Sequence, residues 1–168
     1  MTLAIEFNVE DEGWTETAPW YRELALRAAE QALIAAGRAA QDAEISVLLC
    51  DDARIAALNG TFREKPRATN VLSWPAHDLA PPAPGARPPD APDGELGDLA
   101  FARETIESEA KEQHLSAEAH FAHLFAHGVL HLLGYDHVED ADAAVMEGLE
   151  SRAMAAMGIE DPYRASEC

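Results

Sequence analysis

Residues 116–137 read SAEAHFAHLFAHGVLHLLGYDH, and this segment predicts a long helix in the core of the protein. Ser116 is a favoured N-cap residue, and alanine, leucine and phenylalanine fill most of the positions that follow it. Gly134 offers the left-handed backbone at which many helices end. The segment therefore predicts a helix from Ser116 to Gly134, with a turn directly after it.

Four of the seven histidines fall in this helix, and a fifth follows the turn. Residues four apart on a helix differ by about 40° in direction, so His127 and His131 can direct one nitrogen each at the same ion. His123 lies one turn further back and is expected to support or pack against the pair. A reversal of the chain at Gly134 would bring His137 toward them. The spacing thus predicts a metal site made of His127, His131 and His137.

Three neutral imidazoles suit zinc, and a fourth position left for water is typical of a catalytic centre. Zinc lowers the pKa of a bound water to about 7, which favours a hydrolase. The residue after the first ligand is Gly128, where peptidases of the His-Glu-x-x-His type carry their general base. Gly128 either opens room for a bulky substrate or permits close helix packing. Asp136 either orients a ligand imidazole or bonds its own backbone in the turn.

The rest of the chain alternates short apolar runs with amphipathic stretches. At 168 residues it is expected to form a single domain, 1–168, with a proline-rich, exposed and mobile loop at 76–94. The order β-α-β-α-β-β-α-α predicts an α+β fold with helices packed on a mixed sheet. Strands are expected at 3–9, 44–49, 69–74 and 96–101, and helices at 19–37, at 116–134, at 140–157 and from Asp51 or Asp52 through Phe62.

A formal net charge of −19 is the strongest feature of the composition. Such a surface repels polyanions and argues against broad, nonspecific binding of nucleic acid. Three of the twelve lysines and arginines, however, lie together just before Thr69: Arg63, Lys65 and Arg67. A local positive patch of this kind can receive a phosphate, although a charge run is more often a solvated face.

The sequence favours a cytoplasmic protein. It opens with acidic residues and lacks the basic start and apolar run of a secretory signal. Apolar stretches stay below the roughly 18 residues that a membrane span requires. The two cysteines, Cys50 and Cys168, form neither a disulfide framework nor a metal-binding Cys-x-x-Cys pair. We expect Cys50 to be buried filler and Cys168 to lie in a loose tail.

Four sequence blocks carry a family resemblance. Residues 127–137 read HGVLHLLGYDH, and three shorter blocks precede them: LNGTFR at 58–63, TNVLSWP at 69–75 and LGD at 96–98. In this order they resemble the YbeY family of bacterial endoribonucleases and ribosomal RNA maturation factors, whose signature is H-G-x-L-H-L-x-G-Y-D-H. The resemblance covers roughly Leu3 to Ile159. Residues 64–68 read EKPRA where the family more commonly has Gly-Lys-Asp-x-Pro, and the 76–94 segment is longer than the family core.

The resemblance implies a zincin-like α+β domain with its metal site at the C-terminal end of a core helix. It also implies a zinc-dependent endoribonuclease, specific for single-stranded RNA, that acts in maturation of the 3′ end of 16S ribosomal RNA and in ribosome quality control. His127, His131 and His137 correspond to the ligands of one Zn²⁺ per chain, and Arg63 corresponds to an arginine required for activity. Small-subunit ribosomal proteins and a ribosome-associated GTPase are the partners it implies.

Together, the motifs and the resemblance predict metal-assisted hydrolysis of a phosphodiester. His127 and Arg63 are the expected catalytic residues, with Arg63 stabilising charge on the phosphoryl oxygens. Arg63, Lys65 and Arg67 are the expected substrate-binding residues. Two alternatives stay open: a metallopeptidase or other zinc hydrolase, which an acidic surface would suit, and a noncatalytic ribosome-assembly factor whose zinc only organises the helix end.

Overall fold

A four-stranded sheet lies at the centre of the computed structural model, which describes residues 2–63 and 67–163 apart from the side chains of residues 62 and 63. Its strands are β1 (Leu3–Val9), β2 (Ala43–Cys50), β3 (Val71–Pro75) and β4 (Gly94–Ala102). Within the described residues their order across the sheet is β1-β2-β4-β3. Strands β1, β2 and β4 run parallel, and β3 pairs antiparallel with β4 at the edge. The predicted mixed sheet is confirmed, with strand ends shifted by at most two residues.

Six helices accompany the sheet along the described chain. They are α1 (Gly13–Thr17), α2 (Tyr21–Ala35), α3 (Asp52–Arg63), α4 (Arg103–Glu112), α5 (Ala117–Leu132) and α6 (Asp140–Ala156). The sequence analysis missed α1 and α4. In α4 only Ile106 and Ala110 are buried and the other residues are polar, so its apolar face has helical spacing but consists of only two residues.

Two residues predicted to begin helices cap those helices in the structure. The Oδ1 atom of Asp51 accepts a hydrogen bond from the backbone N–H of Arg54 at 2.8 Å and so caps α3. Ser116 Oγ accepts from the N–H of Ala119 at 3.0 Å at the start of α5. Capping of this kind satisfies backbone N–H groups that have no partner within the helix.

Helix α5 is packed between the sheet and the helices α2 and α6. Its Phe121 and Phe125 are fully buried, and Phe125 stacks on Phe101 of β4 with ring centroids 5.2 Å apart. A methyl group added at Gly128 would lie 2.9 Å from Leu99 Cδ2. Close packing of α5 on β4 therefore accounts for Gly128, and the alternative of room for substrate is not needed.

The opposite face of the sheet carries a smaller cluster beside α3. Its buried members are Cys50, Ile55, Leu72, Ala100 and Ala102. Cys50 is a free thiol, and burial together with nearby carboxylates raises its pKa to about 12. The prediction that Cys50 is buried filler is confirmed, whereas Cys168 lies outside the described residues.

Residues 76–93 connect β3 to β4 without regular secondary structure. Most of these residues are exposed or half-buried, as the proline-rich composition predicted, but Leu79, Pro88 and Ala91 are buried. The segment is therefore anchored to the body of the protein at three points. Among the described residues, no helix combines the length and the apolar character needed to cross a bilayer.

Candidate metal centre

The three histidines predicted as ligands meet at the C-terminal end of α5. One ring nitrogen from each of His127, His131 and His137 lies within 4.8 Å of the other two. His127 and His131 are half-buried and His137 is exposed. Three histidines from one helix and the turn after it could therefore hold a metal ion.

The turn after α5 is what brings His137 back to the pair. Gly134 has a φ of 103°, in the left-handed region that glycine tolerates without strain. The backbone N–H of Tyr135 then donates to the carbonyl of Leu130 at 3.0 Å and closes the helix end. The chain reversal predicted at Gly134 is confirmed.

The hydrogen-bond partners of two ligand rings fix where their protons lie. His127 Nδ1 is 3.0 Å from the carboxylate Oε1 of Glu150, and His131 Nδ1 is 3.0 Å from the backbone carbonyl of Tyr135. Both partners are acceptors, so each imidazole donates from Nδ1. In the neutral form of each ring, the Nε2 atom is then unprotonated, as a metal ligand must be.

These two unprotonated nitrogens face each other. The Nε2 atoms of His127 and His131 lie 3.0 Å apart, and two lone pairs at this distance repel each other unless a proton or a metal cation is shared between them. Ligand nitrogens of a tetrahedral zinc site, about 2.1 Å from the ion, are about 3.4 Å from one another. The residues present fit a zinc ion in spacing, in donor type and in protonation.

The electrostatics of the centre keep His131 neutral. Burial, followed by the neighbouring His127 and His137, lowers the pKa of His131 to about 4. A ring with this pKa does not compete for a proton near neutral pH. It is therefore ready to bind a cation without first losing a proton.

Glu150 of α6 is the residue that sequence reasoning missed. Its side chain is almost fully buried, and its Oε1 atom accepts hydrogen bonds from His123 at 2.6 Å, from the hydroxyl of Tyr163 at 2.9 Å and from His127. Burial alone would raise the pKa of Glu150, but the hydrogen bonds from His123 and His127 outweigh it and lower the pKa to about 2. Glu150 is therefore an anion that orients the ring of His127 and favours positive charge near the three histidines.

Tyr163 and His123 complete the surroundings of this carboxylate. Burial and the nearby Glu150 raise the pKa of Tyr163, so its hydroxyl stays protonated and donates. The His123 ring lies edge-on to Tyr163, with ring centroids 5.5 Å apart. His123 thus takes the supporting role expected from its position one turn behind His127.

His120, the buried histidine of α5 among the described residues, ties the helix to the wall of the cleft. His120 Nε2 lies 2.9 Å from the Oε1 atom of Glu109 in α4, and the same oxygen accepts from the side-chain N–H of Asn70 at 3.0 Å. Asn70 stands directly before β3. The three side chains hold α4, α5 and the start of β3 in fixed relation.

A cleft of about 820 Å³ opens beside the three histidines. Residues 69–73 form one wall, and residues 134–138 lie beside the histidines. Asp136 lies in this cleft, but its Oδ1 atom accepts from the backbone N–H of His137 at 2.7 Å. The second of the two alternatives for Asp136, a turn residue bonded to its own backbone, is the one the structure shows.

The predicted basic patch is only partly described. Arg63 ends α3, its side chain lies outside the described residues, and so does Lys65 as a whole. Arg67 is exposed, and its backbone carbonyl accepts from the side-chain N–H of Asn59 at 3.1 Å. The chain runs from Arg67 into the cleft wall two residues later, at Thr69.

We predict that Glu150→Gln weakens metal binding about tenfold to a hundredfold, because glutamine keeps the shape but removes the charge that orients His127. We also expect the free energy of unfolding of the metal-free protein to fall by about 1–3 kcal/mol. Competition against a chromophoric chelator measures the first effect and urea titration the second. Glu147→Gln, the same chemical change one turn earlier in α6, is the matched control, and equal metal affinities in the two variants would contradict the role of Glu150.

The pKa of His131 predicts how the stability of the metal-free protein depends on pH. The folded-state pKa of about 4 lies below the ordinary value of 6.5, so the unfolded chain binds more protons between these values. The free energy of unfolding should therefore rise as the pH increases from about 4 to 6.5, and His131→Asn should lose this part of the rise. Urea titrations across that range measure it. The control is His114→Asn, which replaces an exposed histidine at a φ of 57° that asparagine also tolerates.

The fold and the site define an α+β protein with a centre of three histidines, at the end of a core helix, that could hold a metal ion. The sequence profile of the family described as Endoribonuclease YbeY matches residues 8–158. The chain therefore belongs to the YbeY family, as its motifs indicated.

Relatives in this family align along nearly the whole chain. The Endoribonuclease YbeY of Ruegeria pomeroyi is 48% identical over 167 residues, covering 96% of this chain and 98% of the relative. That of Dinoroseobacter shibae is 49% identical over 164 residues, covering 95% and 90%. The solution structure of TM1509 from Thermotoga maritima has a TM-score of 0.57 at 20% identity, covering 98% of this chain and 96% of that protein. This last similarity shows the fold.

Proposed function

We propose that this chain is a zinc-dependent endoribonuclease that cleaves single-stranded RNA. The observation that carries the proposal is that ring nitrogens of His127, His131 and His137 lie within 4.8 Å of one another beside an open cleft, with the Nε2 atoms of His127 and His131 3.0 Å apart. Relatives covering nearly the whole chain are named endoribonucleases. We further propose that the substrate is the 3′ end of 16S ribosomal RNA, in a role that includes ribosome quality control.

His127, His131 and His137 would hold one zinc ion, since three imidazole nitrogens with no charged ligand suit this metal. A bound zinc ion supplies Lewis acidity, which lowers the pKa of water and withdraws charge from a phosphoryl oxygen. Glu150 and the carbonyl of Tyr135 hold the rings of His127 and His131 in the required orientation. Fixed rings need no reorganisation during the reaction, which lowers the barrier.

Arg63 is the proposed stabiliser of charge that grows on the equatorial phosphoryl oxygens. A guanidinium offers two parallel N–H donors that match a phosphate. Lys65 and Arg67 are proposed to receive neighbouring phosphates of the RNA backbone. Their support is their position, since the segment 63–67 leads directly into the wall of the cleft at Thr69.

The net charge of −19 limits how RNA reaches this site. We propose that RNA is accepted only at the local basic patch and the cleft, or that it is delivered by a partner, because the remaining surface repels it. Small-subunit ribosomal proteins and a ribosome-associated GTPase are the proposed partners. This role places the protein in the cytoplasm.

The test couples metal content to cleavage in a single sample. Protein purified without chelator is analysed for zinc and then assayed on single-stranded RNA and, in parallel, on unfolded protein. We expect about one zinc per chain, RNA cleavage that stops with chelator and returns with zinc, and no proteolysis. Proteolysis without RNA cleavage would favour the alternative of a metallopeptidase, which the acidic surface suits. Zinc without either activity would favour a noncatalytic assembly factor.

A further inference from the structure

The segment 76–93, which we call the strap, packs directly against the turn that forms the candidate metal centre. A methyl group added at Gly134 would collide with the backbone carbonyl and Cβ of Leu79. Leu79 itself is buried, with 7% of its surface exposed. The strap therefore packs against the turn at Gly134. Glycine is needed at this position for two reasons: its φ is positive, and Leu79 leaves no space for a side chain.

The strap also reaches the residue that orients His131. The guanidinium of Arg87 donates to the carbonyl of Ala36 at 3.3 Å. Burial raises the pKa of Tyr135, and the Arg87 guanidinium lies near enough to its hydroxyl to oppose this rise. Tyr135 in turn accepts from His131 Nδ1 with its backbone carbonyl. Arg87 thus links the end of α2 to the turn between His131 and His137.

Further contacts fix both halves of the strap to the body of the protein. The N–H of Gly85 donates to Asp142 in the first turn of α6 at 2.7 Å. Arg38, which is buried, forms an ion pair with Asp90 at 2.8 Å and donates to the carbonyl of Pro88 at 3.4 Å. The prolines of the strap reduce the conformational freedom that folding has to remove. A segment anchored in this way can restrain the turn that it packs against.

We propose that the strap is a positioning element of the metal centre, which holds the turn 134–137 so that His131 and His137 face His127. The inference rests on the proposed metal site and adds a function for the segment 76–93. Leu79 and Arg87 are its positioning residues. Leu79 packs against Gly134 of the turn, and Arg87 lies between Tyr135 and the end of α2. Neither contributes a ligand.

The experiment compares metal binding in Leu79→Ala and Arg87→Ala with that of the wild type, using Zn²⁺ and Co²⁺ alone as probes. We expect about tenfold weaker binding of both ions in each variant, as for other residues that orient ligands. We also expect the visible spectrum of bound Co²⁺, which reports ligand number and geometry, to shift toward that of His137→Ala. A purely structural role would leave that spectrum unchanged.

Leu33→Ala is the matched control, since Leu33 is a buried leucine of α2. It should lower the thermal stability but keep the metal affinity and the Co²⁺ spectrum of the wild type. Arg87 is exposed, so Arg87→Ala gives a readout even if Leu79→Ala fails to fold. If Arg87→Ala, and Leu79→Ala where it folds, keep the metal affinity and the Co²⁺ spectrum of the wild type, the inference about the strap is wrong but the proposed function stands. A wild-type protein that binds neither ion would overturn the proposed function and this inference with it.

Discussion

His131→Ala is expected to abolish metal retention and RNA cleavage together. The variant removes one of the two Nε2 atoms that face each other at 3.0 Å, and the remaining two histidines cannot hold an ion tightly. The surrounding helix should survive, because its core contacts come from neighbours such as Phe125 and Leu130 rather than from His131. We expect zinc content to fall from about one per chain to near zero and the cleavage rate to fall by about a thousandfold or more.

Elemental analysis and a cleavage assay on the same preparation check this result. Circular dichroism establishes that the variant is folded, and His114→Asn, at an exposed histidine outside the helix, controls for the loss of an imidazole. Cleavage retained by pure, metal-free His131→Ala would contradict the assignment of the centre. Metal retained without cleavage would mean that His131 acts on the substrate and is not a ligand.

The fold and the clustering of His127, His131 and His137 were accessible from sequence because local geometry largely determines both. Spacing by four residues places His127 and His131 on one face of a helix whatever surrounds it. Gly134 allows the chain to reverse, and the structure has that reversal at a φ of 103°. Short runs rich in apolar residues likewise located all four strands of the described chain.

Glu150 was not accessible in the same way, because its partners lie 23 and 27 residues away in sequence. A signal was nevertheless present. Glu150 falls on the same face of α6 as the buried Met146, Ala153 and Met154. A charged residue on an apolar helix face is rarely buried unless it is paired, so its position indicated a buried partner without revealing which one.

The strap shows a further limit of composition. Six prolines among residues 76–93 indicate irregular backbone, and the structure has no helix or strand in that segment. Composition does not reveal which few side chains of such a segment become anchors. The contacts of Leu79 and Arg87 depend on where Gly134 and Tyr135 lie, which only the complete fold determines.

Arg63→Ala is expected to lower the rate of RNA cleavage about a hundredfold while leaving the zinc content unchanged. A guanidinium that meets charge on the phosphoryl oxygens acts mainly in the transition state, so the loss should appear in kcat more than in KM. Arg63→Lys keeps the charge but not the paired donors and should recover only part of the rate. The measurement is the single-turnover rate of single-stranded RNA cleavage by the zinc-loaded wild type, Arg63→Ala and Arg63→Lys proteins.

Arg54→Ala is the matched control, because Arg54 lies in the same helix α3 and pairs with Glu10 at 3.1 Å. It should cleave RNA at the wild-type rate. The comparison separates the three functions that the sequence left open. In a phosphodiesterase, Arg63→Ala lowers the rate of RNA cleavage although the metal is bound. In a peptidase, Arg63→Ala leaves the rate of proteolysis unchanged, and a noncatalytic assembly factor cleaves neither substrate. Equal RNA cleavage by Arg63→Ala and the wild type would remove the phosphate-binding role of Arg63, because the loss of positive charge beside a developing oxyanion has to slow the reaction.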